Sequence, residues 1–247
     1  MLRKRVVTVL TFNDGILFRT KMFTPDYRYT ANFVDAWSID EIVLLDVTRP
    51  EQRNADIFSA LVTDFSNKCF VPMCVGGGVR NLDDFKRYLD LGADKIAINT
   101  MAIEQPELIT QAARRFGSQC VVVSIDARKE GDTYSVYKNC GRYPTEWRPE
   151  EFARRVEELG AGEILLTSID RDGSLEGYDN ELNGRVIGSV TIPVVVCGGA
   201  GKWQDFVDGF MLASADAVAT TNVYHFTEAS IKSAKQYLLK HGLNIRP

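Results

Sequence analysis

With 247 residues, 45% of them hydrophobic, the chain can bury a full core as one α/β barrel, although the same length also accommodates two average domains. Its 29 basic and 33 acidic residues leave a net charge of −4, and no Lys/Arg cluster interleaved with aromatics occurs, which excludes the cationic footprint of a nucleic-acid binder. No stretch approaches the roughly 20 apolar residues of a membrane span, so neither nucleic acid nor membrane is an expected partner.

At the amino terminus, MLRKRVVTVLTF sets basic residues before an apolar run, but Asn13-Asp14-Gly15 ends the run without a small-residue cleavage site, so no signal peptide is expected. Eight short apolar runs follow one another: Arg5–Leu10, Ile42–Asp46, Val71–Val75, Lys95–Asn99, Val121–Ile125, Ile164–Ser168, Val194–Cys197 and Asp216–Thr221. Helical patterns separate most of them, clearest at Glu51–Phe65, Leu82–Leu91, Pro106–Phe116, Pro149–Leu159 and Trp203–Leu212, with a closing helix near Glu228–Leu239. This alternation predicts parallel strands joined by crossover helices, and eight units at this length predict an α/β fold of (β/α)8 TIM-barrel type in a single domain, 1–247. An open doubly wound sheet is the alternative, but it does not readily explain the internal repeat.

That repeat is visible by eye. Val71–Thr100 reappears as Ile192–Asn222, about 121 residues on, with Pro, adjacent glycines and an Asp-Phe pair recurring. Glu41–Asp46 matches Glu163–Ser168, and Val6–Gly15 runs parallel to Val121–Gly131. The expected domain therefore consists of two related half-barrels, roughly 1–115 and 116–247.

In such barrels the reacting residues lie at the carboxyl ends of strands. Gly76-Gly77-Gly78 with Asn99 and Thr100 forms one candidate phosphate cradle. Gly198 and Gly199 with Thr221 and Asn222 form another, joined by Gly173 of the Asp170-Arg171-Asp172-Gly173 loop. Glycine suits this task because converging backbone N–H groups must approach the anion without a side chain in the way; the plain alternative is a tight turn after a strand. Two cradles across the mouth fit a long bisphosphorylated substrate. Asp126 offers a general acid or base between them, or else a cap or ion-pair partner, and its counterpart in the other half is Thr11. At the opposite end, Arg5, Glu41, Lys95 and Glu163 start strands and could form a charged ring, which spacing alone reads as a stabilising plug or as exposed pairs of little worth.

Five cysteines, Cys69, Cys74, Cys120, Cys140 and Cys197, are odd in number and lack CxxC spacing, as expected of reduced thiols in a cytoplasmic protein. His225 and His241 are too few for a histidine metal site or triad. No metal and no cofactor is expected.

VGGGVR, GADKIAINT, FGSQCVVVSIDA, GAGEILLTSIDRDG, CGGAGK and VYHF, spread over nearly the whole chain, resemble the cyclase subunit of imidazole glycerol phosphate synthase, a glutamine amidotransferase of histidine biosynthesis. The resemblance implies a glutaminase docked on the amino-terminal face as a heterodimer, and ammonia passing through the barrel to a bisphosphorylated ribonucleotide at the other mouth. The family's gate falls on Arg5, Glu41, Lys95 and Glu163, which turns the plain reading of that ring into a functional one. Its partner interface includes Asp94, and its catalytic set includes Asp126 and Asp172. Its phosphate contacts fall on Gly77, Gly78, Asn99, Thr100, Gly173, Gly198 and Gly199.

The mouth departs from the family. Thr11 stands in place of a catalytic Asp, Arg19 in place of a mobile-loop Lys, Cys197 in place of a Ser, and Thr221-Asn222 in place of Ala-Ser; the segment from Gly15 to Asp40 is about five residues short. An intact entrance with an altered mouth is similar to paralogues associated with surface-polysaccharide gene sets, where a glutaminase and barrel pair supplies ammonia to a separate sugar amidotransferase. The alternatives are an authentic cyclase that tolerates Thr11 and a barrel that binds sugar phosphate without ammonia transfer.

Overall fold

The computed structural model describes residues 3–21, 24–26, 40–220 and 231–246, with backbone alone at 18–21, 24–26 and 231. In chain order the elements are β1 (Arg5–Asn13), β2 (Ile16–Lys21), β3 (Thr24–Asp26), β4 (Glu41–Asp46), α1 (Ala55–Lys68), β5 (Met73–Gly76), α2 (Leu82–Asp90) and β6 (Lys95–Ile98). There follow α3 (Thr100–Glu104), α4 (Glu107–Phe116), β7 (Val121–Glu130), β8 (Thr133–Lys138), β9 (Tyr143–Pro144), α5 (Pro149–Glu158) and β10 (Glu163–Ser168). Last come α6 (Asn180–Ile187), β11 (Val194–Cys197), α7 (Trp203–Met211), β12 (Ala217–Thr220) and α8 (Ile231–Lys240).

Eight parallel strands close on themselves in the order β1, β4, β5, β6, β7, β10, β11, β12 and back to β1, which makes the (β/α)8 barrel that the alternation of apolar runs predicts. The period of two along each strand divides the core in two. On β1, Val7 and Val9 point into the barrel interior, while Val6, Leu10 and Phe12 pack outward against helices. No helix among the described residues is long and apolar enough to cross a membrane.

Several boundaries differ from expectation. α1 begins at Ala55 rather than near Glu51, because Asn54 accepts from the Asp56 N–H as its cap and Arg53 folds back onto Asp46. The first and fifth barrel strands run on past the mouth into antiparallel ribbons, β1 with β2 and β3, β7 with β8 and β9. The turn pairs Asp14-Gly15 and Gly131-Asp132 lie within these hairpins. The short helix α3 and the helix α6 carry too little apolar periodicity to stand out in the sequence. The expected closing helix is described only from Ile231 onward, and Thr221, Asn222 and His225 lie outside the described residues.

Candidate functional site

Arg5, Glu41, Lys95 and Glu163 are the first residues of β1, β4, β6 and β10, and they meet as one closed ring. Arg5 Nη1 lies 2.6 Å from Glu41 Oε2 and its Nη2 bonds Glu163 Oε1. Lys95 Nζ lies 2.8 Å from Glu41 Oε1 and 2.6 Å from Glu163 Oε2. Each carboxylate thus gives one oxygen to each cation. Both glutamates are buried, so exposed pairs of little worth are not what the sequence spacing encodes. Burial disfavours the charge on Arg5 and Lys95, yet the two glutamates outweigh it and raise both pKa values above their ordinary range.

Beyond the ring, the barrel interior is apolar and built from small side chains, among them Val7, Val43, Cys74, Val122, Val195 and Ala217. Ala97 and Leu165 of this layer form the floor of a cavity of about 1160 Å³ that opens at the carboxyl ends of the strands. Thr11, Asp126, Asp172, Cys197 and, from the first cradle, Gly77, Gly78, Asn99 and Thr100 line it. The structure therefore gathers the carboxylates and the first cradle at one cavity, whereas Gly173, Gly198 and Gly199 of the second are not among its lining residues.

Asp126 lies within β7 rather than at its end, at the level where the strand leaves the barrel for the hairpin. Burial pushes its carboxyl up to about 7; the Ser124 hydroxyl, donating from 3.4 Å, opposes this, and the charge of Asp172 adds to it. The neighbouring Arg128 lies 3.7 Å from Asp170 instead, and no ion pair to Asp126 is formed among the described residues. Thr11 is buried beside Leu45 of β4. Arg19 has its backbone paired with Asp26, and its side chain lies outside the description. Burial, with Asp172 next, pushes the Cys197 thiol up to about 12, which leaves it an unreactive wall residue at neutral pH.

In the first cradle, Gly77 and Gly78 have φ of 100° and 71°, and a side chain at Gly77 would run into the Asp46 carbonyl. Asn99 does not offer its amide N–H freely: Nδ2 donates to the Ser124 carbonyl at 3.0 Å, while Thr100 Oγ1 accepts from the Asn139 N–H at 3.1 Å. These side chains tie the cradle to the hairpin. In the second, Gly198 and Gly199 have φ of 92° and 111°, with Gly198 against the Ser168 carbonyl and Gly199 against that of Gly177. Gly173 is also left-handed, at 69°.

Asp94 is exposed at the amino-terminal end, and its Oδ2 accepts from the Met73 N–H at 2.8 Å; its repeat mate Asp216 does the same for Val194 at 3.1 Å. Sequence reading passed over Arg53, Ser124 and the Asn139–Arg142 turn. All three reach the cavity only through tertiary placement, and no spacing signal marks them.

A buried carboxylate and glycine strand ends at the carboxyl mouth of a (β/α)8 barrel stand where enzymes of this fold carry their reacting groups. The chain belongs to the histidine biosynthesis protein family, whose profile matches residues 4–230. It is 44% identical over 253 residues, the whole of both chains, to imidazole glycerol phosphate synthase subunit HisF of Clostridium botulinum. The subunits of the same name from Chlorobium phaeovibrioides and a Hydrogenobaculum species are each 42% identical, again over the whole of both chains.

Proposed function

We propose that this chain is the ammonia-accepting, cyclase-type barrel subunit of a glutamine amidotransferase, a single domain of two half-barrels that pairs with a glutaminase as a heterodimer. The closed ring of Arg5, Glu41, Lys95 and Glu163 is the observation that carries this reading. It surrounds the barrel axis, and the small apolar layer beyond it suits a neutral ammonia molecule, whereas an ammonium ion would lose its hydration there without a partner. Exposed Phe70 and Leu212 follow helices, and exposed Met211 and Leu239 lie at the carboxyl ends of theirs; they offer apolar surface for the glutaminase on the side of Asp94.

At the other mouth, the Gly77, Gly78, Asn99 and Thr100 cradle takes a phosphate, and Gly173, Gly198, Gly199, Thr221 and Asn222 take the second. Asp126 moves the proton, supported by Asp172 and Arg19. In this reading ammonia passes on to a separate sugar amidotransferase for a surface-polysaccharide sugar, and the support is the residue at position 11, where Thr11 has no carboxylate with which to share acid and base roles. Imidazole ring closure in histidine biosynthesis is the second reading, and the full-length identity of 42–44% to imidazole glycerol phosphate synthase subunits favours it.

Turnover decides between them. With ammonia supplied directly, the chain is expected to convert the imidazole-synthase substrate at least about a hundredfold more slowly than a two-carboxylate relative, a loss in the general acid–base range. It should also fail to rescue a histidine auxotroph lacking its cyclase subunit. Rescue together with comparable kcat/KM would establish ring closure and remove the sugar-amidation reading.

A further inference from the structure

The first cradle holds a cation that its glycine motif does not announce. Arg53, in the loop between β4 and α1, has only 14% of its side chain exposed. Its Nε lies 3.1 Å from Asp46 Oδ2, and Nη2 donates to the carbonyls of Thr48 at 2.7 Å and Asp46 at 3.4 Å. Those contacts fix the guanidinium plane and leave Nη1 against the cradle: a methyl group added at Gly78 would stand 2.5 Å from it. Asp46 is itself held in place, accepting from the Thr48 N–H at 2.9 Å, so the cation is oriented by a rigid loop rather than by a flexible stem.

The opposite wall of the cradle is the turn Asn139-Cys140-Gly141-Arg142, whose first three residues have left-handed φ and which is tied to Thr100 through Asn139 N. Arg53 and the residues of this turn, Arg142 among them, line the same cavity. The second cradle is different. Its loop brings the buried carboxylate of Asp172, and Arg171, beside Gly199, is paired with Glu176. Among the described residues, the arginine oriented against a cradle glycine by its guanidinium is therefore Arg53.

We infer that Arg53 is the anion-binding cation of the first cradle, donating through Nη1 to a phosphate oxygen, so that the substrate is anchored by its phosphate at this end of the mouth. The inference rests on the proposed phosphate-binding reading of the mouth and deepens it by naming the residue that sets affinity and orientation. An oriented guanidinium adds a charge-assisted hydrogen bond to the neutral backbone donors supplied by glycine.

Calorimetric titration of the purified chain with inorganic phosphate tests it. Arg53→Gln alone strands the buried Asp46 carboxylate, so the informative variant is Arg53→Gln with Asp46→Asn, which removes the pair together. It should bind phosphate about tenfold or more weakly than wild type, the scale of one lost charge-assisted hydrogen bond. Asp46→Asn alone leaves Arg53 charged and should bind as tightly as wild type or tighter. Equal binding by wild type and the double variant would overturn the inference while sparing the cradle. Loss of binding in a folded Asp46→Asn chain would overturn it too, since Arg53 would then act only as a prop for the loop. No phosphate binding by wild type would sink the cradle reading along with it.

Discussion

At the amino-terminal end of the barrel, Glu41 and Glu163 are each bonded to both Arg5 and Lys95 in a ring with no open corner. At the carboxyl mouth Asp126 is comparably buried, but its side-chain bond is a 3.4 Å contact from Ser124, and the neighbouring charge is another carboxylate, Asp172. Similar burial thus produces opposite electrostatics. Acids paired to two cations hold a fixed shape, which suits a gate; a buried acid with a like charge nearby is pushed up to about 7, which suits proton transfer. The ring is also not a duplicated device. Glu41 and Glu163 occupy equivalent positions in the two halves, whereas the position equivalent to Lys95 is Ala217, so the two-fold pattern supplies the acids and departs from symmetry to supply the cations.

The comparison breaks most sharply at Asp126. Asp126→Asn keeps the shape and removes the proton acceptor, and it should lower turnover of ammonia-dependent product by about 10²–10⁴, the usual worth of a general acid or base. Phosphate affinity at the first cradle should change little. Wild-type kcat/KM should show an inflection near pH 7, the value to which burial pushes this carboxyl. A variant that turns over like wild type, or a flat profile between pH 6 and 8, would move the chemistry away from Asp126.

A smaller effect is expected at the other end. Lys95→Ala opens the ring but leaves Arg5 bridging both glutamates, so the fold should lose only about 1–3 kcal/mol, below the range for stranding a fully buried charge. The glutaminase should still associate in sedimentation, while glutamine consumed per amidated product rises severalfold. Unchanged coupling would reduce the ring to a structural plug, and no association with any glutaminase of the same genome would remove the conduit altogether.

The barrel was legible in the sequence because its strands are short, buried on both sides and rich in β-branched residues, so Val121–Val123 or Val194–Val196 cannot be mistaken for surface. The four charges of the ring stood out as first residues of strands, but spacing alone reads them as a plug or as exposed pairs, and only the family resemblance makes them a gate. What the chain order hides is contact across the mouth. Nothing about Arg53 in Arg49-Pro50-Glu51-Gln52-Arg53 foretells that it turns back to Asp46 and Gly78, because that depends on where α1 starts. The ribbons after β1 and β7 were missed for a related reason: their outer strands alternate polar and apolar residues over only a few positions, and that weak pattern merges with the loops. Asn99 was read as an anion donor from its residue type, but tertiary packing engages its amide with the Ser124 carbonyl.

The mildest change probes how the mouth tunes its acid. The Ser124 hydroxyl stabilises the ionised form of Asp126, and it does so weakly because 3.4 Å is long for an O–H···O bond. Ser124→Ala should therefore move the inflection in kcat/KM upward, by less than about one unit. Stability should follow with a definite sign. Asp126 titrates higher in the folded chain than the value near 4 expected when unfolded, so its neutral form favours folding fully below about pH 4, and that contribution is lost as pH rises through about 7. Asp126→Asn, which is neutral at every pH, should therefore gain more in urea midpoint over wild type at pH 8 than at pH 5, and the Ser124→Ala chain should go on losing stability to a slightly higher pH. A gain for Asp126→Asn that is equal at pH 5 and pH 8 would mean that the carboxyl is not held neutral by burial, and the contrast between the two ends of the barrel would then rest on the ring alone.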